Sequence, residues 1–326
     1  MRCLALFSGG LDSMLAIKLM SLQGFEVIAL HLDMGFGGKK IDEEKLNYYA
    51  NKAGAKLAIV DIKERYLKDV LFSPKYGYGK HLNPCIDCHG YMFRVAFEML
   101  EQLDAKFIIS GEVVGQRPMS QRTEALRNVE KLNLKYEGLM LRPLSAKLLK
   151  PTKPELDGIV DREKLLDISG RGRQRQLLLA DEFGFDSFEA PAGGCLLTID
   201  SFCKKMKDVI NHEKLENAKD IELLKFGRHL RLEEGAKLII SRDEVENREL
   251  SAICNPKFDE ILLDGCIGPY ALISKEPTKA DLELAFSLVL AYAKTKLFQD
   301  YNLIYRDEKF KKTATITKQE AAKYFV

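Results

Sequence analysis

Net charge and backbone punctuation are both scarce in this chain of 326 residues. Its 50 Lys and Arg against 48 Asp and Glu leave a formal charge of only +2, and it holds 10 Pro and 23 Gly. That composition excludes wholesale disorder and any fibrous repeat, and its length predicts one large or two medium cores. Long apolar runs are missing as well. The stretch 282–293 is interrupted by charge and falls short of the roughly 20 residues of a membrane helix, so no span is predicted. The first seven residues run straight into a glycine turn without the length or cleavage site of a signal peptide, and a cytoplasmic protein is expected. Seven cysteines are too few for a disulfide scaffold and odd in number, which points to thiol chemistry or metal binding.

What is present reads as alternation. An apolar run at 2–7, a Ser8-Gly9-Gly10 turn and a helix marked by Leu15, Leu19 and Leu22 come first. Strands at 26–32, 56–62 and 106–110 follow, with helices at 43–53 and 91–103 between them. This predicts an α/β fold, a parallel sheet with helices on both faces. Ligands of such sheets collect beyond the carboxyl ends of the strands, where Ser8, His31-Leu32-Asp33 and Gly111-Glu112 fall. Short helical stretches at 162–168 and 173–183 and a Pro/Gly turn at 191–194 lead to Cys195. From about residue 201, strand-like pieces (236–241, 260–263, 270–274) around a helix at 279–296 predict a smaller α+β domain. The expected division is 1–198 for nucleotide binding and catalysis and 199–326 for RNA binding.

Ser8-Gly9-Gly10-Leu11-Asp12-Ser13 sits between strand and helix, where small residues let backbone N–H groups close on an anion at the helix N-terminus. It lacks the lysine of the Gly-x-x-x-x-Gly-Lys-Ser/Thr loop and does not match Gly-x-Gly-x-x-Gly. A plain turn with Ser8 or Asp12 as N-cap is the other reading of the same residues. His31 suits an ordinary strand position as well as a ligand contact.

Asn83-Pro84-Cys85-Ile86-Asp87-Cys88 is expected to precede a helix beginning near His89, whose dipole would favour a Cys88 thiolate. Zinc would need ligands beyond this pair, with Cys195, His81 and His89 available only through the fold. Cys195 follows a glycine-rich approach that suits a reacting or ligating sulfur. Cys3, Cys203, Cys254 and Cys266 read as core or bystander residues.

Ser-Gly-Gly-x-Asp-Ser resembles the pyrophosphate loop of the PP-loop ATP pyrophosphatases, which cleave ATP between its α and β phosphates and adenylate a carbonyl oxygen. The resemblance implies that Ser8, Gly9, Gly10 and Ser13 hold pyrophosphate, that Asp12 helps place Mg²⁺, and that adenine lies near Leu32. Asn-Pro-Cys-x-x-Cys resembles the tRNA 2-thiouridylases, whose catalytic cysteine matches Cys88 and whose persulfide cysteine would be Cys195. Gly111-Glu112-Val113-Val114-Gly115-Gln116, with Ser120-Gln121 and Leu141-Arg142-Pro143-Leu144, is similar to the tRNA 4-thiouridine synthase, which adds Gly111, Glu112 and Gln116 to the nucleotide site. The related cluster-dependent thiolases imply a variant in which Cys85, Cys88 and Cys195 ligate a [4Fe–4S] cluster.

These resemblances imply an ATP-dependent tRNA sulfurtransferase, with catalytic Cys88, Cys195 and Asp12. Its partners would be tRNA and a sulfur donor such as a cysteine desulfurase or sulfide. The stretch 117–175 holds 14 Lys and Arg against 8 Asp and Glu, an excess of 6 basic residues. Lys225 to Arg231 and Lys309 to Lys312 are further basic runs, in a region loosely similar to the RNA-binding domain of NFACT proteins. The alternatives are a PP-loop ligase or amidase acting on a small molecule, which would need neither Cys195 nor a basic second domain, and a non-catalytic RNA-binding adaptor.

Overall fold

The computed structural model describes residues 1–326 apart from Lys39, 190–194, Lys214 and Glu216. The expected turn at 191–194 therefore lies outside the described residues. The chain divides into two compact units, Met1–Thr198 and Ile199–Val326.

The first unit contains β1 (Arg2–Leu6), α1 (Leu11–Leu22), β2 (Glu26–Asp33), α2 (Glu43–Ala53), β3 (Ala55–Asp61), α3 (Lys63–Tyr66), α4 (Cys85–Glu98), β4 (Ala105–Ser110), α5 (Thr123–Lys131), β5 (Met140–Leu141), α6 (Lys153–Leu156) and α7 (Gln174–Glu182). Its five strands are parallel in the order β3-β2-β1-β4-β5. Successive side chains of a strand point to opposite faces. Cys3, Ala5, Val27, Ala29, Phe107 and Ile109 accordingly share one core with Leu15 and Met20 of α1, Tyr49 and Ala50 of α2 and Ala180 of α7. The alternate residues Leu4, Leu30 and Ile108 are equally buried, on the side where α4 runs against β1 and β4. The α/β fold with both faces covered is what the alternation predicted. The order reverses direction at β1 and β4, so their carboxyl ends open the crevice that such sheets use for ligands.

The helix after Asn83-Pro84 departs from expectation. It starts at Cys85, several residues early, because Asp87 accepts the backbone N–H groups of Lys75 (2.8 Å) and Tyr76 (3.0 Å) and clamps the preceding loop to the first turn. Cys85 and Cys88 are thus in that turn, not ahead of it.

The second unit holds α8 (Asp200–His212), α9 (Ala218–Leu224), β6 (Arg228–Arg231), β7 (Lys237–Ile240), α10 (Glu244–Ala252), β8 (Phe258–Asp264), β9 (Ala271–Ser274), α11 (Lys279–Tyr292), β10 (Asp300–Tyr305), β11 (Glu308–Thr313) and α12 (Lys318–Ala321). Its sheet is antiparallel, ordered β11-β10-β8-β9-β7-β6. Leu230, Leu238, Ile261, Ile273 and Leu303 pack with Phe286, Val289 and Leu290 of α11. Ile239 and Leu272 point the other way, to Leu223 and Leu250.

The basic runs of this unit are largely engaged within it. Arg231 bonds Asp208 (2.7 Å) and Glu213 (2.9 Å), and His229 is buried with its Nε2 against the Phe226 carbonyl (2.8 Å). Lys309 pairs with Asp264 (3.0 Å), Lys311 with Asp300 (2.8 Å) and Lys312 with Glu283 (2.6 Å). The cluster at 309–312 is a charged edge strand closed by a two-residue turn, Arg306-Asp307, with both φ positive. Among the described residues, no helix is long and apolar enough to cross a membrane.

Candidate functional site

Four segments meet at the carboxyl edge of the parallel sheet, beginning with the phosphate loop beyond β1. Gly9 has φ +76°, a left-handed conformation that favours glycine, and a Cβ there would press to 2.8 Å from Leu46 Cδ2. Gly10, in extended conformation, is the N-cap of α1; neither Ser8 nor Asp12 caps it. Ser13 Oγ instead donates to the Gly10 carbonyl (2.7 Å). In the first turn of α1, Ser13 N donates to the Gly10 carbonyl (3.1 Å), and with no side chain capping the helix the N–H groups of Leu11 and Asp12 can meet an anion.

The segment after β4 passes directly over this turn. A Cβ on Gly111 would lie 2.5 Å from both the Asp12 carbonyl carbon and the Ser13 nitrogen. That close approach brings Gln116 to Asp12, where its Nε2 donates to Oδ2 at 2.7 Å. Arg173, just before α7, reaches the same oxygen only at 3.8 Å. Gln176, fully buried one turn later, donates to Gln116 Oε1 at 3.2 Å. Asp12 Oδ1, Arg173 Nε and Gln176 Oε1 are buried with no hydrogen-bond partner. Buried polar atoms are normally satisfied, so three orphans in one cluster single this place out as a candidate ligand site. The orphaned carboxylate oxygen suits Mg²⁺, and Arg173 suits a phosphate.

Glu112, one residue past Gly111, behaves differently. Its carboxylate is 5% exposed and takes Arg142 Nε (2.8 Å), His89 Nδ1 (2.7 Å) and Ser110 Oγ (3.2 Å). Burial alone would raise its pKa, but Arg142 and His89 more than offset this and hold it down at about 2. A carboxylate with its acceptor sites filled from the protein ties α4, β4 and β5 together rather than facing a nucleotide. Leu32 is buried at the end of β2. His31 bonds the Phe7 carbonyl at 3.0 Å, and burial lowers its pKa.

The thiols gather beyond β2. Cys88 Sγ lies 3.4 Å from Met34 Sδ, and Cys195 bridges to Gly37, with Leu196 N donating to the Phe36 carbonyl (3.0 Å). Asn83 Nδ2 donates to Cys85 Sγ at 3.2 Å. The buried Tyr66 phenol bonds Cys88, and its pKa is raised first by burial and then by the neighbouring Cys88, Cys195 and Cys85, so the three thiols share one neighbourhood. Six residues before Cys195, Glu189 pairs with the phosphate loop, its N–H donating to the Gly9 carbonyl at 3.0 Å.

One expectation for these cysteines changes. Burial pushes the Cys88 thiol up to about 12, outweighing the helix dipole that was expected to lower it. Cys195 is exposed. Among the described residues, no group of three or more His, Cys, Asp and Glu side chains could hold a metal ion. Cys3 and Cys203 are buried, while Cys254 is exposed and Cys266 half-buried. Sequence spacing carried no sign of Tyr66 or Gln176. Arg173 was visible only as one charge in a basic run.

Residues 2–78 match the model of the Arginosuccinate synthase N-terminal HUP domain, and residues 227–325 match that of the NFACT protein RNA binding domain. A tRNA-specific 2-thiouridylase (MnmA) of Helicobacter hepaticus is 34% identical over 120 residues, 34% of this chain and 34% of that protein. A probable tRNA sulfurtransferase of Methanothermobacter thermautotrophicus is 27% identical over 180 residues, 52% of this chain and 41% of that one. The aligned part thus spans well under half of each curated relative. A solved 4-thiouridine synthetase–RNA complex with bound ATP aligns at TM-score 0.39 and 19% identity, covering 69% of this chain and 52% of that chain. The resemblance of the N-terminal part to the PP-loop enzymes, including tRNA sulfurtransferases and 2-thiouridylases, and of the C-terminal part to NFACT RNA-binding domains, holds.

Proposed function

We propose that this protein thiolates tRNA, using ATP to activate a uridine carbonyl. The observation that carries this reading is the pairing, on one sheet edge, of an incompletely satisfied Asp12–Gln116–Arg173 cluster with the thiols of Cys85, Cys88 and Cys195. The uridine oxygen attacks the α phosphorus of ATP and pyrophosphate leaves, with Arg173 and the free N–H groups of α1 opposing its charge. Asp12 is the residue that would hold Mg²⁺, which supplies charge neutralisation when bound with the nucleotide.

Adenylation turns a poor leaving oxygen into that of AMP. Cys195, being exposed, attacks the outer sulfur of a donor persulfide such as that of a cysteine desulfurase, releasing the donor's thiol, and carries that sulfur as a persulfide. The terminal persulfide sulfur attacks the activated carbon and AMP departs. A second thiol, Cys88 or Cys85, then attacks the Cys195 sulfur, so that a Cys–Cys disulfide forms and the thiocarbonyl is released. A dithiol reductant restores both thiols. The target base has to leave its stack to reach this edge.

ATP–pyrophosphate exchange in the presence of bulk tRNA tests the first half-reaction. Stimulation by tRNA is expected. A small-molecule ligase would ignore the tRNA, and an adaptor would show no exchange. For the second half-reaction, Cys195→Ser should keep exchange and lose thionucleoside formation, read by mass spectrometry of tRNA digests. Thiolation persisting in that variant removes Cys195 from the mechanism.

A further inference from the structure

The basic excess of 117–175 does not form a single surface. Its second half is mostly tied up. Arg142 is buried on Glu112 and Glu130, Lys147 pairs with Glu163, Lys153 with Asp157, Arg162 with Glu155, Lys164 with Asp161 and Arg175 with Asp167. In the first half, Arg117, Arg122, Arg127 and Lys131 are all exposed, and among the described residues none makes an ion pair. Glu130, three positions after Arg127 on the same helix, pairs with Arg142 at 2.7 Å instead.

The four free cations are rigidly mounted. Gly115 N donates to the Gln121 carbonyl (2.7 Å) and Gln121 N to the Arg117 carbonyl (3.0 Å), which closes the loop carrying Arg117. Arg122 is the N-cap of α5, and Arg127 and Lys131 stand one turn apart on its outer side. The inner side, Ala125, Leu126 and Val129, is buried. Asn133 Nδ2 donates to the Gly90 carbonyl at 3.0 Å, and a Cβ on Gly90 would stand 2.4 Å from Leu132 Cδ1, so the end of α5 lies close on α4. One end of the strip therefore adjoins Gln116, which touches Asp12, and the other is fastened to the helix that begins with Cys85 and Cys88.

We propose that Arg117, Arg122, Arg127 and Lys131 form a track for the phosphate backbone of RNA, which holds the substrate along α5 while its target base enters the edge of the sheet. Exposed cations without ion-pair partners match a polyanion, and such contacts position a nucleic acid without reading its sequence. The inference rests on the tRNA-thiolating reading.

Binding of the full chain to an unmodified tRNA transcript, followed by anisotropy across a KCl series, tests it. The variant R117A/R122A/R127A/K131A should weaken binding on the order of ten-fold or more near 0.15 M salt, and should flatten the dependence of log K on log salt by about three, roughly 0.7–0.9 for each of the four phosphate contacts. K153A/K164A, which removes two paired lysines of the same stretch, should bind as the wild type does. All four substituted side chains are exposed, and retained binding of a fluorescent ATP analogue reports an intact sheet edge. Quadruple-variant binding equal to wild type overturns the track and leaves the proposed reaction standing. Wild-type protein that binds no tRNA overturns both.

Discussion

Two carboxylates stand just beyond neighbouring strands, Asp12 after β1 and Glu112 after β4, and the protein treats them in opposite ways. Glu112 is bonded by an arginine, a histidine and a serine. Asp12 has one good donor, Gln116, one distant cation, Arg173, and an oxygen with nothing. A buried charge with all its partners in place is architecture, because removing a partner strands it in a medium that cannot solvate it. A charge left incomplete has a destabilised free state that a ligand can relieve, which is what a binding site requires.

The comparison breaks most readily at Arg142. Arg142→Ala leaves Glu112 without its main counter-charge and should cost about 3–5 kcal/mol of stability, read as an early urea or thermal transition. The pH dependence has a definite sign. The folded pKa of Glu112, about 2, lies below its ordinary 4.5, so its contribution is complete above 4.5 and fades as pH falls through 2. The acid-side loss should therefore be smaller in Arg142→Ala than in wild type. Equal stability of the two at neutral pH would place Glu112 with Asp12 instead.

Asp12→Asn should do the reverse. It removes a charge that the fold does not use, so stability should stay within about 0.5 kcal/mol of wild type. Pyrophosphate exchange, which depends on that charge, should drop at least about 100-fold. A large loss of stability would show that Asp12 supports the turn itself.

The sheet was legible because its strands are buried on both sides and flanked by helical periodicity; β1 to β4 appear within a residue or two of the runs that announced them. The hairpin β10–β11 was not, since Glu308-Lys309-Phe310-Lys311-Lys312-Thr313 is an edge strand whose charges pair sideways with Asp264, Asp300 and Glu283. A run of lysines looks the same in sequence whether or not its partners arrive from elsewhere. The same limit applies at the candidate site. Ser8 to Ser13 is a local motif, readable in one glance, whereas Arg173 meets Asp12 across 161 positions and Glu112 meets Arg142 across 30. The dipole at the start of α4 was expected to favour a Cys88 thiolate, but burial, a property of the whole fold, raises that thiol instead.

Gln176 tests how far the incomplete character extends from Asp12. It is fully buried, gives one hydrogen bond to Gln116 and keeps an acceptor oxygen with no partner. If it belongs with Glu112, replacing it should unfold the edge of the sheet. If it belongs with Asp12, its role is to turn Gln116 so that the amide N–H faces the carboxylate. Gln176→Met keeps most of the volume and deletes both the donor and the orphaned oxygen, so these losses and gains nearly cancel in stability. The expected result is a transition within about 1 kcal/mol of wild type and an exchange rate lowered only a few-fold, because Gln116 keeps its bond to Asp12 but loses the partner that fixes its orientation. Restoration of the rate by raising Mg²⁺ would mark the defect as one of placing the carboxylate, while a fall in stability of 2 kcal/mol or more would move Gln176 to the architectural side.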